Sequence, residues 1–274
     1  MPELPEVEII AQGLRPFIES QMIDYSRFYR QDLRAPIPTT KINRKIKKEK
    51  ISRVWRRGKY LVLSLPSDAH ILMHFGMSGK LIRSSQKSPL LPHTHWVLGS
   101  QKNYFHYVDP RRFGRIDLYE NKDLENCKYI ASLGNEPLIT RNLGKVLFDK
   151  SRHKNKPVKN FVMDSQVVVG VGNIYAAESL FLSHIHPCKP AGKLNLKTYQ
   201  LLAKHIKKVL RQAITQGGTT LQDHRQIDGS PGYFKVKLNV YGKSSEPCPR
   251  CQTPIENIKL GGRSSFYCKK CQKQ

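Results

Sequence analysis

Apolar residues near the amino terminus recur with the period of an amphipathic helix. The positions concerned are Leu4, Val7, Ile10, Ala11 and Leu14. They share one helical face, and Pro5 is tolerated in a first helical turn. We therefore predict an initial helix whose pattern changes after Pro16.

Short runs of β-branched and aromatic residues follow, separated by Gly, Pro, Ser and Asp. Runs of this length and composition are typical of strands, and their succession favours a β-sandwich or barrel. The predicted strands are Ile51–Val54, Tyr60–Leu65, His70–Phe75, His95–Leu98, Tyr104–Val108 and Arg115–Tyr119.

Helical spacing returns in the second half of the chain and is clearest in Asn195–Gln216. Asn195 is a suitable N-cap, and Gly217-Gly218 ends the predicted helix. The apolar stripe of this helix comprises Tyr199, Leu202, Ile206, Val209, Leu210 and Ala213.

These changes of pattern divide the chain into three parts. We predict an amino-terminal β domain over residues 1–133, a linker and helical domain over 134–234, and a tail over 235–274 that is rich in Lys, Pro, Gly and Cys. Within the second part, residues 134–150 are predicted to form the linker.

The charge of the chain is strongly positive. Lys and Arg number 47 against 21 Asp and Glu, a formal net charge of +26. Such an excess favours a polyanionic partner, above all nucleic acid, while a solvated basic surface remains the alternative. The charge is spread along the chain, whereas membrane-surface proteins concentrate it in one amphipathic segment or cluster.

Membrane insertion and secretion are not expected. No window approaches the ~18 uninterrupted apolar residues of a membrane span. The first residues are acidic and contain no basic segment before an apolar one, unlike a signal peptide. We expect a cytoplasmic protein.

Four of the six cysteines form two Cys-x-x-Cys pairs with 16 residues between them, namely Cys248, Cys251, Cys268 and Cys271. Four thiolates at this spacing hold zinc tetrahedrally, and the chain between them forms a hairpin. Because protein ligands fill all four positions, we predict one structural Zn²⁺ and no catalytic metal. A disulfide pair or free thiols fit less well in an intracellular protein whose tail has few apolar residues.

Arg263 follows Gly261-Gly262 and is predicted at the tip of this hairpin. Two interpretations stay open for it. It is either a solvated turn residue or a finger that reaches a phosphate.

The amino terminus contains a candidate nucleophile. Removal of Met1 would leave the secondary amine of Pro2 free. An α-amino group has a pKa of about 7.7–8.0 against about 10.4 for lysine, so far more of it is unprotonated near neutral pH. Its attack on an aldehydic sugar carbon gives an iminium ion, which acts as an electron sink.

Glu3 and Glu6 share a helix face near that amine. One carboxyl group can supply a proton while the other orients the amine or stabilises the cation. The competing interpretation is that both residues only complement the helix dipole.

Several motifs occur in a specific order along the whole chain. They are PELPEVE at Pro2–Glu8, RRGKYL at Arg56–Leu61, HFGMSG at His74–Gly79, DPRRFG at Asp109–Gly114, VVGVGNIYAAESLF at Val168–Phe181, GGTTLQD at Gly217–Asp223, DGSPGYF at Asp228–Phe234 and VYG at Val240–Gly242. Together with the cysteine pairs, this order resembles the bacterial formamidopyrimidine-DNA glycosylases, which excise oxidised purines such as 8-oxoguanine.

The resemblance implies an α+β protein of two domains. An N-terminal helix and β-sandwich would be followed by a helix–two-turn–helix domain with a C-terminal zinc-ribbon hairpin, and DNA would cross the cleft between the domains. The implied partner is damaged double-stranded DNA, bound by a monomer in the bacterial cytoplasm at the nucleoid. Neither a membrane nor an organic cofactor is implied.

The resemblance also implies catalytic roles. Pro2 would be the Schiff-base nucleophile, Glu3 the acid that opens the sugar ring or protonates the departing base, and Glu6 their support. Lys59 would act in β-elimination. Arg263 would grip phosphate and act in δ-elimination.

A second set of residues is implied to bind DNA. Met77, Arg111 and Phe113 resemble a triad inserted into the duplex where the damaged nucleotide has left, which offsets part of the cost of extrusion. The positions that match contacts to the DNA backbone are His74, His93, Arg112 and Asn173. Taken alone, Met77 and Phe113 would be interpreted as core residues.

The chain departs from the family pattern in two places. A run of lysines is replaced by His153-Lys154-Asn155-Lys156, so that a DNA contact aligned with Asn155 either passes to Lys154 or Lys156 or is absent. We choose Lys154. The second departure lies in Asp223–Gly229, a stretch that in relatives forms a loop over the flipped base.

Two alternative functions remain. The first is a catalytically silent DNA-binding protein, which would need none of Pro2, Glu3 and Lys59. The second is an enzyme of the related endonuclease VIII branch, which prefers oxidised pyrimidines. Leu4 and the intact DPRRFG motif favour the purine branch.

Overall fold

The computed structural model describes residues 2–87, 89–120, 124–217 and 238–273. The described residues form two compact units. The amino-terminal unit comprises the described residues up to Ala131 together with Gln216 and Gly217, and the carboxy-terminal unit comprises Ser132–Thr215 and 238–273. The predicted domain boundary at 133/134 stays a prediction, and that at 234/235 lies outside the described residues.

The chain begins with helix α1, Leu4–Ile18, as predicted. Its apolar face is buried, and Pro5 lies in the first turn, where a missing N–H removes no helical hydrogen bond. The helix continues two residues beyond Pro16, so the predicted change of pattern at that proline comes too early. Ile18 is fully buried, and its packing offsets the cost of the proline.

Two antiparallel four-stranded sheets make up most of the amino-terminal unit. Their strands are β1 Tyr25–Phe28, β2 Arg53–Arg57, β3 Tyr60–Ser64, β4 Ala69–His74, β5 Lys80–Ser84, β6 Thr94–Ser100, β7 Asn103–Val108 and β8 Arg115–Glu120. One sheet has the order β1-β6-β7-β5 and the other the order β2-β3-β4-β8. A single core contains side chains from both sheets and from α1, which confirms the predicted sandwich.

Three elements were not predicted from the sequence, namely strands β1 and β5 and helix α2, Thr39–Ile46. Both strands lie at the edges of their sheet, where most of their side chains are only half-buried, so that neither shows a clear alternation of apolar and polar residues. Helix α2 buries only Ile42 and Ile46, which leaves too short an apolar stripe for recognition.

Helices dominate the carboxy-terminal unit. They are α3 Leu143–Ser151, α4 Val158–Val162, α5 Asn173–Leu182 and α6 Leu196–Thr215. The linker predicted over 134–150 is wrong in its second half because α3 begins at Leu143, whose side chain is buried with that of Leu147.

Helix α6 confirms the predicted Asn195–Gln216 helix. The side-chain Oδ1 of Asn195 accepts a hydrogen bond from the backbone N–H of Thr198 at 2.9 Å, as an N-cap does. In the predicted stripe, Val209 is only half-buried, whereas Ala203, which the prediction omitted, is buried.

A two-stranded antiparallel hairpin, β9 Glu256–Leu260 and β10 Arg263–Tyr267, follows near the carboxy terminus. Its turn consists of Gly261 and Gly262, with φ angles of 57° and 76°. Positive φ at both turn residues is the requirement of a tight hairpin, and glycine meets it without steric cost. Within the described residues, no helix is both long and apolar enough to span a bilayer.

Candidate functional site

The first turn of α1 holds two buried carboxyl groups next to Pro2. Pro2 is buried, and Glu3 and Glu6 are only 3% and 7% exposed. Oε2 of Glu6 accepts a hydrogen bond from the backbone N–H of Glu3 at 2.8 Å, part of a capping box between the two residues. The pair thus caps the start of α1, and the hydrogen bond fixes the backbone of Glu3 next to Pro2.

Lys59 lies in the two-residue turn between β2 and β3. Gly58, the first turn residue, has φ 59°, a conformation that favours glycine. Helix α1 packs against both strands, so the turn and the amino terminus belong to one packed assembly.

Arg56 connects these two elements, a role that the sequence analysis did not assign. Its Nε lies 3.0 Å from Oε2 of Glu8 on α1, and its NH1 donates to the carbonyl oxygen of Gly58 at 3.0 Å. The Arg56 side chain is only 8% exposed, which reduces solvent screening of the pair. The sequence does not distinguish Arg56 from the neighbouring arginines, so its burial could not be predicted.

His74 ends strand β4 near Lys59. Burial lowers its pKa to about 4, with further contributions from the positive charges of Lys59, Arg34 and Arg115. Its Nδ1 accepts a hydrogen bond from the backbone N–H of Gly76 at 3.1 Å. The neutral ring therefore carries its proton on Nε2 and presents a hydrogen-bond donor there.

Met77 and Phe113 are exposed rather than part of the core. Their exposed fractions, 44% and 43%, are high for side chains of this size, so the interpretation of either as a core residue is wrong. The guanidinium carbon of Arg111 lies 4.8 Å from the centroid of the Phe113 ring. The predicted triad thus presents apolar and cationic groups at the surface, as an element that enters a base stack requires.

His93 and Arg112 are exposed loop residues with left-handed backbones, φ 63° and 55°. Both are tied to the backbone of Asp109, because the Asp109 N–H donates to the His93 carbonyl at 3.1 Å and its carbonyl accepts from the Arg112 N–H at 3.2 Å. The loop thereby keeps both side chains at the surface.

Asn173 begins α5 and contacts the β9–β10 hairpin. Its Nδ2 donates to the carbonyl oxygen of Ser264 at 3.0 Å, and the buried ammonium group of Lys159 donates to the same oxygen at 3.0 Å. Lys159, which the sequence analysis did not single out, also bonds to Ser265 Oγ at 2.5 Å. These contacts fix the backbone next to Arg263, which is exposed at the start of β10.

The two lysines of the altered basic run differ in their surroundings. Lys156 Nζ lies 2.6 Å from Oδ2 of Asp164, and its side chain is 39% exposed. Lys154 is exposed. This difference favours Lys154 as the residue of the pair that can reach an external phosphate. The Asp223–Gly229 loop lies outside the described residues.

The four candidate zinc ligands converge on one point. Their ligand atoms all lie within 4.8 Å of one another. The Sγ–Sγ distances are 3.9 Å for Cys248–Cys271, 3.4 Å for Cys251–Cys268 and 3.5 Å for Cys251–Cys271. Tetrahedral bonds of ~2.3 Å to zinc separate sulfur atoms by roughly 3.8 Å, whereas a disulfide needs about 2.05 Å. The set fits a closed structural zinc site. Cys127 and Cys188 lie outside it, buried and half-buried.

Three family models match the chain. The formamidopyrimidine-DNA glycosylase N-terminal domain matches residues 1–116, the formamidopyrimidine-DNA glycosylase H2TH domain matches 133–225, and the zinc finger found in FPG and IleRS matches 245–274. The last match and the converging thiols confirm the predicted structural zinc site.

Individual proteins match over the full length. The formamidopyrimidine-DNA glycosylase of Saccharophagus degradans is 44% identical over 274 residues, with 100% of both chains covered. A mutant of the Lactococcus lactis FPG in complex with a Fapy-dG containing DNA superposes with a TM-score of 0.91 at 30% identity, again with 100% of both chains covered. The wild-type L. lactis protein with an oxidized pyrimidine containing DNA gives a TM-score of 0.89 at 30% identity and the same coverage. The chain thus belongs to the formamidopyrimidine-DNA glycosylase family of base-excision repair enzymes, which act as DNA glycosylases and AP lyases.

Proposed function

We propose that the protein removes oxidised purines, such as 8-oxoguanine and formamidopyrimidines, from duplex DNA and then nicks the strand by β- and δ-elimination. The observation that carries this proposal is the buried pair of Glu3 and Glu6 beside Pro2 in the first turn of α1. A capping box also forms at an exposed helix start, so it is the burial of both carboxyl groups next to a proline amine that favours a catalytic role.

The first step is displacement of the base. After removal of Met1, the Pro2 nitrogen attacks C1′ of the damaged nucleotide, a C1′–N bond forms, and the glycosidic bond breaks. Glu3 donates a proton to the departing base or to the ring oxygen of the sugar. The bond between C1′ and the ring oxygen then breaks, the ring oxygen becomes a hydroxyl group, and C1′ is left as an iminium ion on Pro2. Glu6 holds the backbone of Glu3 through the 2.8 Å hydrogen bond and so orients the acid.

The second step is strand cleavage. The iminium ion withdraws electrons from the sugar, so that a proton leaves C2′ and the 3′-phosphate departs; a second elimination releases the 5′-phosphate. Lys59 acts in the β-elimination, on a turn tied to α1 by Arg56 and Glu8. Arg263 grips the phosphate and acts in the δ-elimination, from a hairpin whose backbone Lys159 and Asn173 hold.

Binding of the lesion uses the remaining predicted residues. Met77, Arg111 and Phe113 fill the space that the extruded nucleotide leaves. Four further side chains, together with Lys154, contact the DNA backbone, namely His74, His93, Arg112 and Asn173. The exposure of the triad and the proton on His74 Nε2 support these assignments.

Borohydride trapping tests the nucleophile. Mature protein lacking Met1 is expected to form a covalent adduct with duplex that contains 8-oxoguanine opposite cytosine, and Pro2→Gly is expected to form none, because it removes the secondary amine. Pro66→Gly makes the same substitution at an exposed turn residue between β3 and β4, outside the proposed site, and should still form the adduct. Failure of the wild-type protein to form an adduct would refute the proposal.

An oxidised pyrimidine is the second candidate substrate. The L. lactis relative has been seen with an oxidized pyrimidine containing DNA, which favours including this lesion class. Cleavage of 8-oxoguanine:cytosine and thymine-glycol duplexes is compared under single-turnover conditions. Faster cleavage of the purine lesion is expected, and the reverse order would place the protein with the pyrimidine-preferring enzymes.

A further inference from the structure

The side chains proposed to enter the duplex come from two different loops. Met77 lies in the loop between β4 and β5, whereas Arg111 and Phe113 lie in the loop between β7 and β8. Insertion into a base stack costs a few kcal/mol of unstacking. Two loops that moved independently would lose further entropy on insertion, so their relative position has to be set in advance.

The carboxyl group of Asp109 is completely buried between these loops. Its Oδ1 accepts a hydrogen bond from Ser78 Oγ at 2.5 Å, and its Oδ2 accepts one from the backbone N–H of Gly114 at 2.8 Å. One carboxyl group thus bonds to the residue after Met77 and to the residue after Phe113.

Tyr107 adds a third donor on the core side. Its hydroxyl lies 3.5 Å from Oδ2 of Asp109. Burial, and after it the neighbouring Asp109, raise the pKa of Tyr107 well above its usual value, so the phenol keeps its proton and remains a donor. The carboxyl group is therefore surrounded by donors, as burial of such a group requires.

Ser78 links the loops a second time. Its Oγ, which donates to Asp109, also lies 3.3 Å from the backbone N–H of Arg111 and accepts from it. The backbones of the two loops are in direct contact as well, because a Cβ added to Gly76 would overlap the backbone carbonyl group of Phe113. The two loops are packed as one body.

We propose that Asp109 is a positioning residue that locks the Met77 loop to the Arg111–Phe113 loop, so that the three side chains enter the duplex together. This inference rests on the proposed function, in which these side chains fill the space of the extruded nucleotide. Asp109 itself does not touch DNA, since it is completely buried.

Ser78→Ala and Asp109→Asn test the lock. Ser78→Ala removes one hydroxyl that joins both loops, and Asp109→Asn puts an amide donor opposite donors. We expect Ser78→Ala to slow single-turnover excision of 8-oxoguanine from duplex by about tenfold, the usual effect of losing a hydrogen bond to a charged group. A 2-aminopurine next to the lesion should show a smaller rise in fluorescence, because the triad enters less often.

Ser26→Ala is the matched control. Ser26 is a serine of the same sandwich that bonds to Asn43 and Trp96, away from both loops. The Ser26→Ala variant should leave the rate of 8-oxoguanine excision and the 2-aminopurine fluorescence unchanged. With a preformed abasic duplex no base has to be extruded. The yield of borohydride-trapped adduct should therefore stay within about twofold of wild type for Ser78→Ala, Asp109→Asn and Ser26→Ala.

A double-mutant cycle separates positioning from general stability. In a Met77→Ala background, Ser78→Ala should cause little further loss, because the side chain that it positions is already absent. If Ser78→Ala and Asp109→Asn both excise 8-oxoguanine at the wild-type rate while Met77→Ala is slow, Asp109 does not position the two loops. The proposed insertion of Met77, Arg111 and Phe113 would still stand. Absence of any trapped adduct with wild-type protein would instead overturn the proposed function. If Asp109→Asn does not fold, the single-turnover excision rate of Ser78→Ala alone tests the proposal.

Discussion

His74 shows how the fold sets the charge of a single residue. Its ring is held neutral by burial and by the neighbouring positive charges of Lys59, Arg34 and Arg115, which lower its pKa to about 4. A cationic histidine here would add to the local repulsion. A neutral one still donates a hydrogen bond from Nε2, and its charge does not change across the physiological range.

The shifted pKa of His74 predicts a pH dependence of stability. The unfolded chain takes up a proton as pH falls through about 6.5, whereas the folded protein does so only near pH 4. Stability is therefore lost between these values. Between pH 7.5 and 4.5 we expect the wild type to lose ~2 kcal/mol more than His74→Gln.

Urea unfolding followed by tryptophan fluorescence measures this difference. Both tryptophans of the chain, Trp55 and Trp96, belong to the amino-terminal unit, so the signal reports on the unit that contains His74. Equal losses of unfolding free energy in the two proteins would show that folding does not lower the pKa of His74.

At the scale of elements, the two hairpins that present basic side chains are built alike. The β2–β3 turn presents Lys59 after Gly58, and the β9–β10 turn presents Arg263 after Gly261 and Gly262. Each glycine adopts a positive φ, which keeps the turn tight. The first hairpin is held by Arg56, and the second by the zinc ligands and Lys159.

Loss of zinc is expected to abolish DNA binding without unfolding the sandwich. Cys268→Ser removes one of four ligands, and the hairpin has too few apolar residues to hold Arg263 in place without the metal. Anisotropy with labelled duplex measures binding, and tryptophan fluorescence measures the fold of the amino-terminal unit. Cys188→Ser, a thiol of the same unit outside the zinc site, should bind normally. Full affinity after zinc removal would contradict the prediction.

At the scale of the whole molecule, the charge exceeds what the proposed site uses. The net charge is +26, yet the residues proposed to touch DNA include only a few of the 47 lysines and arginines. The others raise the local potential and favour non-specific association, which helps an enzyme to search DNA for rare lesions.

Salt dependence distinguishes contacts from total charge. Only the phosphates that the protein neutralises release counterions. In a plot of the logarithm of the DNA-binding constant against the logarithm of the salt concentration, each such contact contributes about −0.9 to the slope. For roughly 6–10 contacts we expect a slope between about −5 and −9 on undamaged duplex. Anisotropy titrations in increasing KCl measure it. A slope near −20 would mean that most of the surplus charge contacts DNA.

The sequence by itself determined the features that rest on local pattern. Helix α1, the strands with a clear apolar run and the zinc ligands follow from the spacing of residues along the chain. The proposed catalytic residues follow from the resemblance of the ordered motifs to the family. Tertiary structure decided the rest. Arg56 pairs with Glu8 across 48 positions, and Asp109 bonds to Ser78 across 31, so no local pattern marks either pair. The edge strands β1 and β5 form only because a neighbouring strand completes their hydrogen bonds, and this pairing depends on the folded sheet rather than on their own residues.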